Sequence, residues 1–341
     1  MTTTVNTTSV RHHRAGRFFL CLVALLATAC SQQQPIRLLG EAQGTYYSVQ
    51  YYDRQGRDLQ PQVDSLLRAF DLTASLWVDS SLLRRLNAGT TDSADALFAD
   101  LLSRSLQMCD YTDGAFDPRI GRLVQAWGFS FRRQEEPDSS TLAAMLAAAR
   151  GSVSLNGNRL VRENAATELD FNAIAQGYSV DLLAAMLDSL GIHDYLIDVG
   201  GEVIARGTKA GGQPWRVGIE QPSADSVSAP VVQSVVELRD AALVTSGNYR
   251  KYYERDGIRY SHTIDPATGR PVQHSLLSAT VVDSLCWRAD AMATAYMVMG
   301  LDRAKQFIAD HPEGPGTKEV FFIYDSCGTM KTYATIKNNI L

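Results

Sequence analysis

The 341-residue chain carries 32 basic and 37 acidic side chains, a net charge of −5, with 45% apolar and 20% charged residues. That length buries a sizeable core in one large domain or two ordinary ones, and the composition is globular rather than disordered. The mild acidic excess argues against nucleic acid, whose partners carry basic patches.

At the N-terminus, Arg11, Arg14 and Arg17 precede an apolar run from Phe18 to Ala27. The run suits the apolar stretch of a signal peptide and is too short to span a bilayer. It ends in Ala27-Thr28-Ala29-Cys30, which resembles a bacterial lipobox with Cys30 as the lipidated first mature residue. The expected layout is a signal peptide over 1–29, a tether over 30–38 and a domain over 39–341. The expected location is outside the cytoplasm, anchored by lipid to the periplasmic side of a bacterial membrane. The alternative is an ordinary signal peptide cut after Ala29. The mature chain keeps Cys109, Cys286 and Cys327, too few and too widely spaced for a disulfide framework or a zinc site, so buried free thiols are expected.

Gly44–Tyr52 has the aromatic and β-branched content of a strand. Apolar spacing predicts a helix over 62–76. Asp79-Ser80-Ser81 offers a cap for a short helix ending near Asn87, and 94–110 is helical by the same criteria. Gly114-Ala115-Phe116-Asp117-Pro118 breaks that helix. A short helix over 142–150 precedes a hairpin around Asn156-Gly157. A helix over 175–190 closes at Gly191, and strand 195–199 runs into Gly200-Gly201, with 203–205 expected to continue it. Strands follow over 215–220, 231–238, 242–245, 259–264 and 276–282, with a loop over 221–230. Helices over 289–299 and 301–309 flank Gly300, and a hairpin of 320–324 with 331–336 closes the chain. The fold class is α+β, antiparallel sheets flanked by helices.

Four clusters carry polar residues beyond what a core needs. Leu169-Asp170-Phe171-Asn172-Ala173-Ile174-Ala175-Gln176-Gly177-Tyr178-Ser179-Val180-Asp181 opens a helix, as a cap or as a phosphate-binding N-terminus. Asp198-Val199-Gly200-Gly201 follows a strand, as a sharp turn or a place of close ligand approach. Thr245-Ser246-Gly247 precedes His262 and the rigid turn Asp265-Pro266-Ala267-Thr268-Gly269-Arg270-Pro271. Asp290 and Thr294 share one face of an otherwise apolar helix, either at a solvated edge or as hard oxygen ligands suited to Mg²⁺.

Taken in order, these segments resemble the ApbE family, the FAD:protein FMN transferases. Gly44-Thr45-x-Tyr47 is similar to its opening motif, and Ser81-Leu82-Leu83-Arg84-Arg85-Leu86-Asn87 to its Ser-x-Leu run. Gly114-Ala115-Phe116-Asp117-Pro118, Trp127-Gly128-Phe129, Thr245-Ser246-Gly247, His262-x-x-Asp265-Pro266 and Ala289-Asp290-x-x-x-Thr294 extend the resemblance across the mature chain. It implies a T-fold-like single large domain with two subregions. It implies a Mg²⁺ ion held by the Ala175 carbonyl, Asp290 and Thr294, and FAD as substrate. Trp77, Asn87, Asp117, Gln176, Asp198, Gly200, Gly201, Ser246, Gly247 and His262 are the expected flavin contacts. Asp290 and His262 are the expected catalytic residues, with His262 as general base or phosphate contact. The implied reaction moves FMN from FAD to a threonine hydroxyl of an acceptor with a Ser/Thr-Gly-Ala-Thr-like motif, in a membrane redox complex. Gln176 departs from the family's Ile-Ala-Lys-Gly turn. An FAD pyrophosphatase and a flavin-binding lipoprotein without turnover are the alternatives.

Overall fold

Among the described residues eight segments pair edge to edge in one sheet: β1 (Ile36–Ala42), β2 (Thr45–Tyr51), β3 (Tyr195–Val199), β4 (Glu202–Arg206), β5 (Ala241–Gly247), β6 (Leu276–Asp283), β7 (Glu319–Ser326) and β8 (Thr329–Ala334). Their order across the sheet is their order in the chain, and every neighbouring pair is antiparallel. The other elements are insertions into this meander. The structure, a computed structural model, describes residues 1–2, 4, 34–128, 137–222, 231–248, 252–255, 258–261, 263–311 and 319–336. Most of the expected signal peptide, Cys30, His262 and most of the 221–230 loop lie outside the described residues.

Among the described residues six helices are inserted between β2 and β3: α1 (Gln60–Ala74), α2 (Leu82–Asn87), α3 (Ala96–Tyr111), α4 (Gly121–Ala126), α5 (Ser139–Ala149) and α6 (Ala175–Ser189). A seventh, α7 (Cys286–Asp310), joins β6 to β7. Local chemistry starts several of them. Ser81 Oγ accepts from Arg84 N–H at 3.2 Å, Asp95 Oδ1 from Phe98 N–H at 2.7 Å and Asp138 Oδ1 from Thr141 N–H at 2.7 Å. Each satisfies a donor that the first helical turn leaves free.

The sheet is covered on both faces, which is why its middle strands are apolar at successive positions instead of every second one. On β5, Ala242 and Val244 enter the large core beneath the helices, while Leu243 enters a second core. On β7, Val320 and Phe322 join the first and Phe321 and Ile323 the second. The second face is roofed by the hairpin of Trp215–Glu220 with Val232–Leu238, through Trp215, Ile219, Val236 and Leu238. Truncating the fully buried Phe322 to Ala should cost about 3–5 kcal/mol. A third, smaller cluster joins α4 and α5 through Leu123, Trp127, Leu142 and Ala149, with Ile264. There Trp127 Nε1–H donates to the Gly269 carbonyl at 2.7 Å. Gly269 has φ +69°, and a Cβ on it would lie 2.8 Å from Leu142. The Asp265–Pro271 turn therefore docks only with glycine at that point.

Several elements depart from the sequence expectations. Strand β1 starts at Ile36, inside the stretch expected to be a tether, because its partner β2 completes it. Gly200-Gly201 is a hairpin turn, so β4 reverses and pairs with β3 instead of prolonging it. The expected strand 259–264 is two: 258–261 pairs with 252–255, and 264–265 with 270–271. The break expected between two helices at Gly300 is present: its φ of 73° and ψ of 175° are not helical and divide α7 there, and His274 Nε2 lies 2.6 Å from the Met297 carbonyl beside the break. Cys109 and Cys286 are buried, but Cys327 is exposed at φ +55° next to Gly328. Among the described residues no helix is long and apolar enough to cross a membrane.

Candidate functional site

Helices α6 and α7 pack side by side on the sheet, and their seam gathers the residues expected to hold metal. Ala175 is the first residue of α6, while Asp290 and Thr294 project from α7 one turn apart. Gly177 permits the close approach: a Cβ there would lie 2.5 Å from the Cys286 carbonyl oxygen and 2.8 Å from Asp290 Cβ. The Gly177 N–H donates to Asp290 Oδ2 at 3.0 Å. Ser246, at the end of β5, lies with its Oγ 3.3 Å from Thr294 Oγ1. The sheet, α6 and α7 thus meet at one point.

Asp290 is 4% exposed, so it is not a solvated residue at an edge. Burial pushes its carboxyl up to about 7, against the lowering effect of the Gly177 amide. Among the described residues it forms no ion pair. A desolvated carboxylate with one amide donor and no cation is costly, and a divalent ion would remove that cost. A carboxylate, a hydroxyl and a carbonyl are hard oxygen donors of the kind Mg²⁺ takes. Among the described residues no group of three or more His, Cys, Asp or Glu converges as a cage. The residues present fit Mg²⁺.

The glycine turn lies beside this point. Gly200 has φ +64°, and a Cβ on it would sit 2.6 Å from both Gln176 Nε2 and Thr45 Cγ2. Gly201 has φ +109° and donates its N–H to Asp198 Oδ1 at 2.9 Å. The Tyr46 hydroxyl donates to Asp198 Oδ2 at 3.1 Å, and burial raises the Asp198 carboxyl above its ordinary value. Gln176, Asp198, Gly200 and Gly201 therefore form one neighbourhood. Gly247 ends β5 next to Ser246.

Other expected contacts have visible structural tasks. Asn87 clamps the backbone of Leu169 from both sides, donating Nδ2–H to its carbonyl at 2.8 Å and accepting its N–H at 2.9 Å. Asp117 is spent on Arg119, with Oδ1 2.8 Å from Nε and Oδ2 2.8 Å from Nη2. The neighbouring Pro118 carbonyl accepts the Asp170 N–H at 2.8 Å. Both sites brace the segment that leads into α6. Asp170 is itself buried with Oδ2 lacking a hydrogen bond, and burial pushes its carboxyl up to about 6. Trp77 is 58% exposed, in a turn where the Ser75 hydroxyl accepts its N–H at 3.0 Å.

One residue of the cluster that opens α6 had no role of its own in the sequence reading. Asp181, four residues after Gly177, accepts N–H bonds from Cys286 at 3.1 Å and Trp287 at 2.8 Å. Burial pushes its carboxyl up to about 6, against these two donors. Its spacing from Gly177 was the available signal; its partner lies more than a hundred residues away.

The profile of the ApbE family matches residues 43–316. The chain is similar to the FAD:protein FMN transferase of Vibrio cholerae, 36% identical over 296 residues that cover 83% of this chain and 87% of that protein. It is similar to that of Escherichia coli K12, 34% identical over 314 residues, covering 86% and 89%. The solved flavin transferase from Vibrio cholerae superposes with a TM-score of 0.76 at 33% identity, over 88% of this chain and 97% of that one. The flavinyl transferase of Pseudomonas stutzeri, in its apo form, does so with a TM-score of 0.78 at 33% identity, over 89% and 95%. The chain belongs to the ApbE family.

Proposed function

We propose that this chain transfers the FMN half of FAD to a threonine hydroxyl of an acceptor protein, with Mg²⁺, releasing AMP. The observation that carries the reading is Asp290, a buried carboxylate at a helix seam with one amide donor, beside the Thr294 hydroxyl and the start of α6. In the reaction a new bond forms between the acceptor oxygen and the FMN phosphorus. The bond from that phosphorus to the bridging oxygen breaks, and AMP leaves with the electron pair. Such transfer depends on positioning and on neutralising phosphate charge.

The Ala175 carbonyl, Asp290 and Thr294 would hold Mg²⁺, which supplies opposite charge to the phosphate oxygens when bound. Ser246 orients the Thr294 hydroxyl. The bare Gly200-Gly201 turn lets the dinucleotide approach the backbone, and Gln176 offers it a neutral amide donor. A neutral side chain here leaves more of the phosphate charge to the cation. Trp77 presents an exposed indole face suited to an aromatic ring of the substrate. His262 is the proposed general base or phosphate contact, taking or steadying the proton of the attacking hydroxyl.

We further propose export and lipid attachment at Cys30, which would hold the enzyme beside membrane-bound acceptors carrying the Ser/Thr-Gly-Ala-Thr-like motif and raise their effective concentration. Cys30→Ser should move the protein from the membrane fraction to the soluble one. The reaction itself is tested by AMP release with FAD and Mg²⁺, with and without acceptor. AMP that appears only with acceptor, in step with acceptor labelling, is expected. AMP and free FMN without acceptor would make the chain a pyrophosphatase, and bound FAD with no AMP would make it a flavin carrier.

A further inference from the structure

Two rungs join α6 to α7, and they mirror each other. In one, α6 donates: the Gly177 N–H goes to the Asp290 carboxylate of α7 at 3.0 Å. In the other, α7 donates: the Cys286 and Trp287 N–H groups go to Asp181 of α6, Oδ1 at 3.1 Å and Oδ2 at 2.8 Å. Residues 177 and 181 are one turn apart, as are 286 and 290, so both rungs lie on facing sides of antiparallel helices. Helix α7 has no side-chain cap of its own, because its N-cap residue is Leu285. Asp181 supplies that cap from the neighbouring helix, where free N–H groups and the positive end of the helix dipole favour a carboxylate.

The seam between the rungs is small. Gly177 has no side chain and Cys286 is fully buried against it. Small surfaces of this kind give little shape to stop one helix sliding along the other, whereas charge-assisted hydrogen bonds are directional. The start of α6 carries Ala175, and the first turns of α7 carry Asp290 and Thr294. A slip along the seam would separate them.

We infer that Asp181 is a positioning residue of the metal-holding site: by pinning the start of α7 to α6, it holds Asp290 and Thr294 at the Ala175 carbonyl. Asp181 touches neither substrate nor metal in this account. The inference rests on the reading that those three residues hold Mg²⁺.

The test titrates Mg²⁺ alone into the full-length protein by calorimetry and follows amide hydrogen exchange at Gly177. Native protein is compared with Asp181→Ala, Asp181→Asn and Asp290→Ala. Asp181→Ala is expected to bind Mg²⁺ about 10–100-fold more weakly, the usual effect of losing a group that orients a ligand, and to exchange the Gly177 amide faster. Asp181→Asn keeps one acceptor oxygen and should fall between native and Ala. Native Mg²⁺ affinity in Asp181→Ala overturns the inference, and so does weakened affinity with Gly177 protection intact. If the Ala variant does not fold, the Asn variant decides by the same two readouts. If Asp290→Ala also binds Mg²⁺ as tightly as native, the metal reading has failed. The clasp is then judged by Gly177 exchange in the Asp181 variants, where a native rate overturns it.

Discussion

Asp290 and Asp117 are two low-exposure aspartates in motifs of the same family, and their surroundings are opposite. Asp117 meets the Arg119 guanidinium through both oxygens, and Arg119 also reaches Cys109 Sγ at 3.3 Å. That pair is closed: the Asp117 bonds raise the Arg119 guanidinium above its ordinary value, and burial pushes the Cys109 thiol up to about 12. Asp290 accepts the Gly177 amide N–H, and burial lifts its carboxyl to about 7. The difference separates a carboxylate whose charge is matched by a guanidinium from one that meets no cation among the described residues. Both motifs look alike in sequence; charge compensation in three dimensions distinguishes them.

The largest effect that would sharpen this contrast is on turnover. Asp290→Asn keeps an oxygen for the Gly177 N–H but not the charge, so transferase activity should fall about 10²–10³-fold. Metal-free stability in urea should stay within about 1 kcal/mol of native. A matching loss of stability would turn Asp290 into a brace like Asp117. At the other aspartate, Asp117→Asn strands the mostly buried Arg119 and should cost about 3 kcal/mol in the same urea titration. An unchanged midpoint would show that the pair is not closed.

Asp170 is a further carboxylate that meets no cation among the described residues, and it is reached by pH. Its folded value of about 6 lies above the ordinary 3.8, so the folded state binds more protons than the unfolded one between those limits. Asp170 should therefore contribute a fall in stability of about 3 kcal/mol as pH rises from about 4 to about 6, to which the raised Asp181 and Asp290 carboxyls add. Asp170→Asn should remove that share of the slope, and an unchanged slope in the variant would assign it wholly to the other groups. A smaller effect is expected at the seam. Gly177→Ala forces a methyl against the Cys286 carbonyl and should cost about 1–3 kcal/mol by thermal unfolding. Native stability there would mean the helices have room to part.

Much of this site was legible in the sequence because its parts come as short motifs. Asp290 and Thr294 one turn apart, the paired glycines after a strand, and the small residues opening α6 each carry a local physical signal. The helix caps at Ser81 and Asp95 are local too, and the 153–162 hairpin follows from Asn156-Gly157. What escaped depends on distant partners. Strand β1 has little pattern of its own and exists because β2 pairs with it. Gly200-Gly201 admits either a continued strand or a reversal, and only the β3–β4 pairing selects the reversal. The task of Asp181 depends on N–H groups 105 and 106 residues away in the chain. Asn87 gives no sign in its own segment that its amide will close on Leu169, 82 residues on.

The most direct test of the central claim is the intact mass of an acceptor carrying the threonine motif after incubation with the full-length protein, FAD and Mg²⁺, beside Asp290→Asn and a chelated control. A mass gain equal to the FMN group with native protein, absent in both controls, is the predicted result. Equal labelling by Asp290→Asn would contradict the account, because the buried carboxylate would then have no part in the transfer.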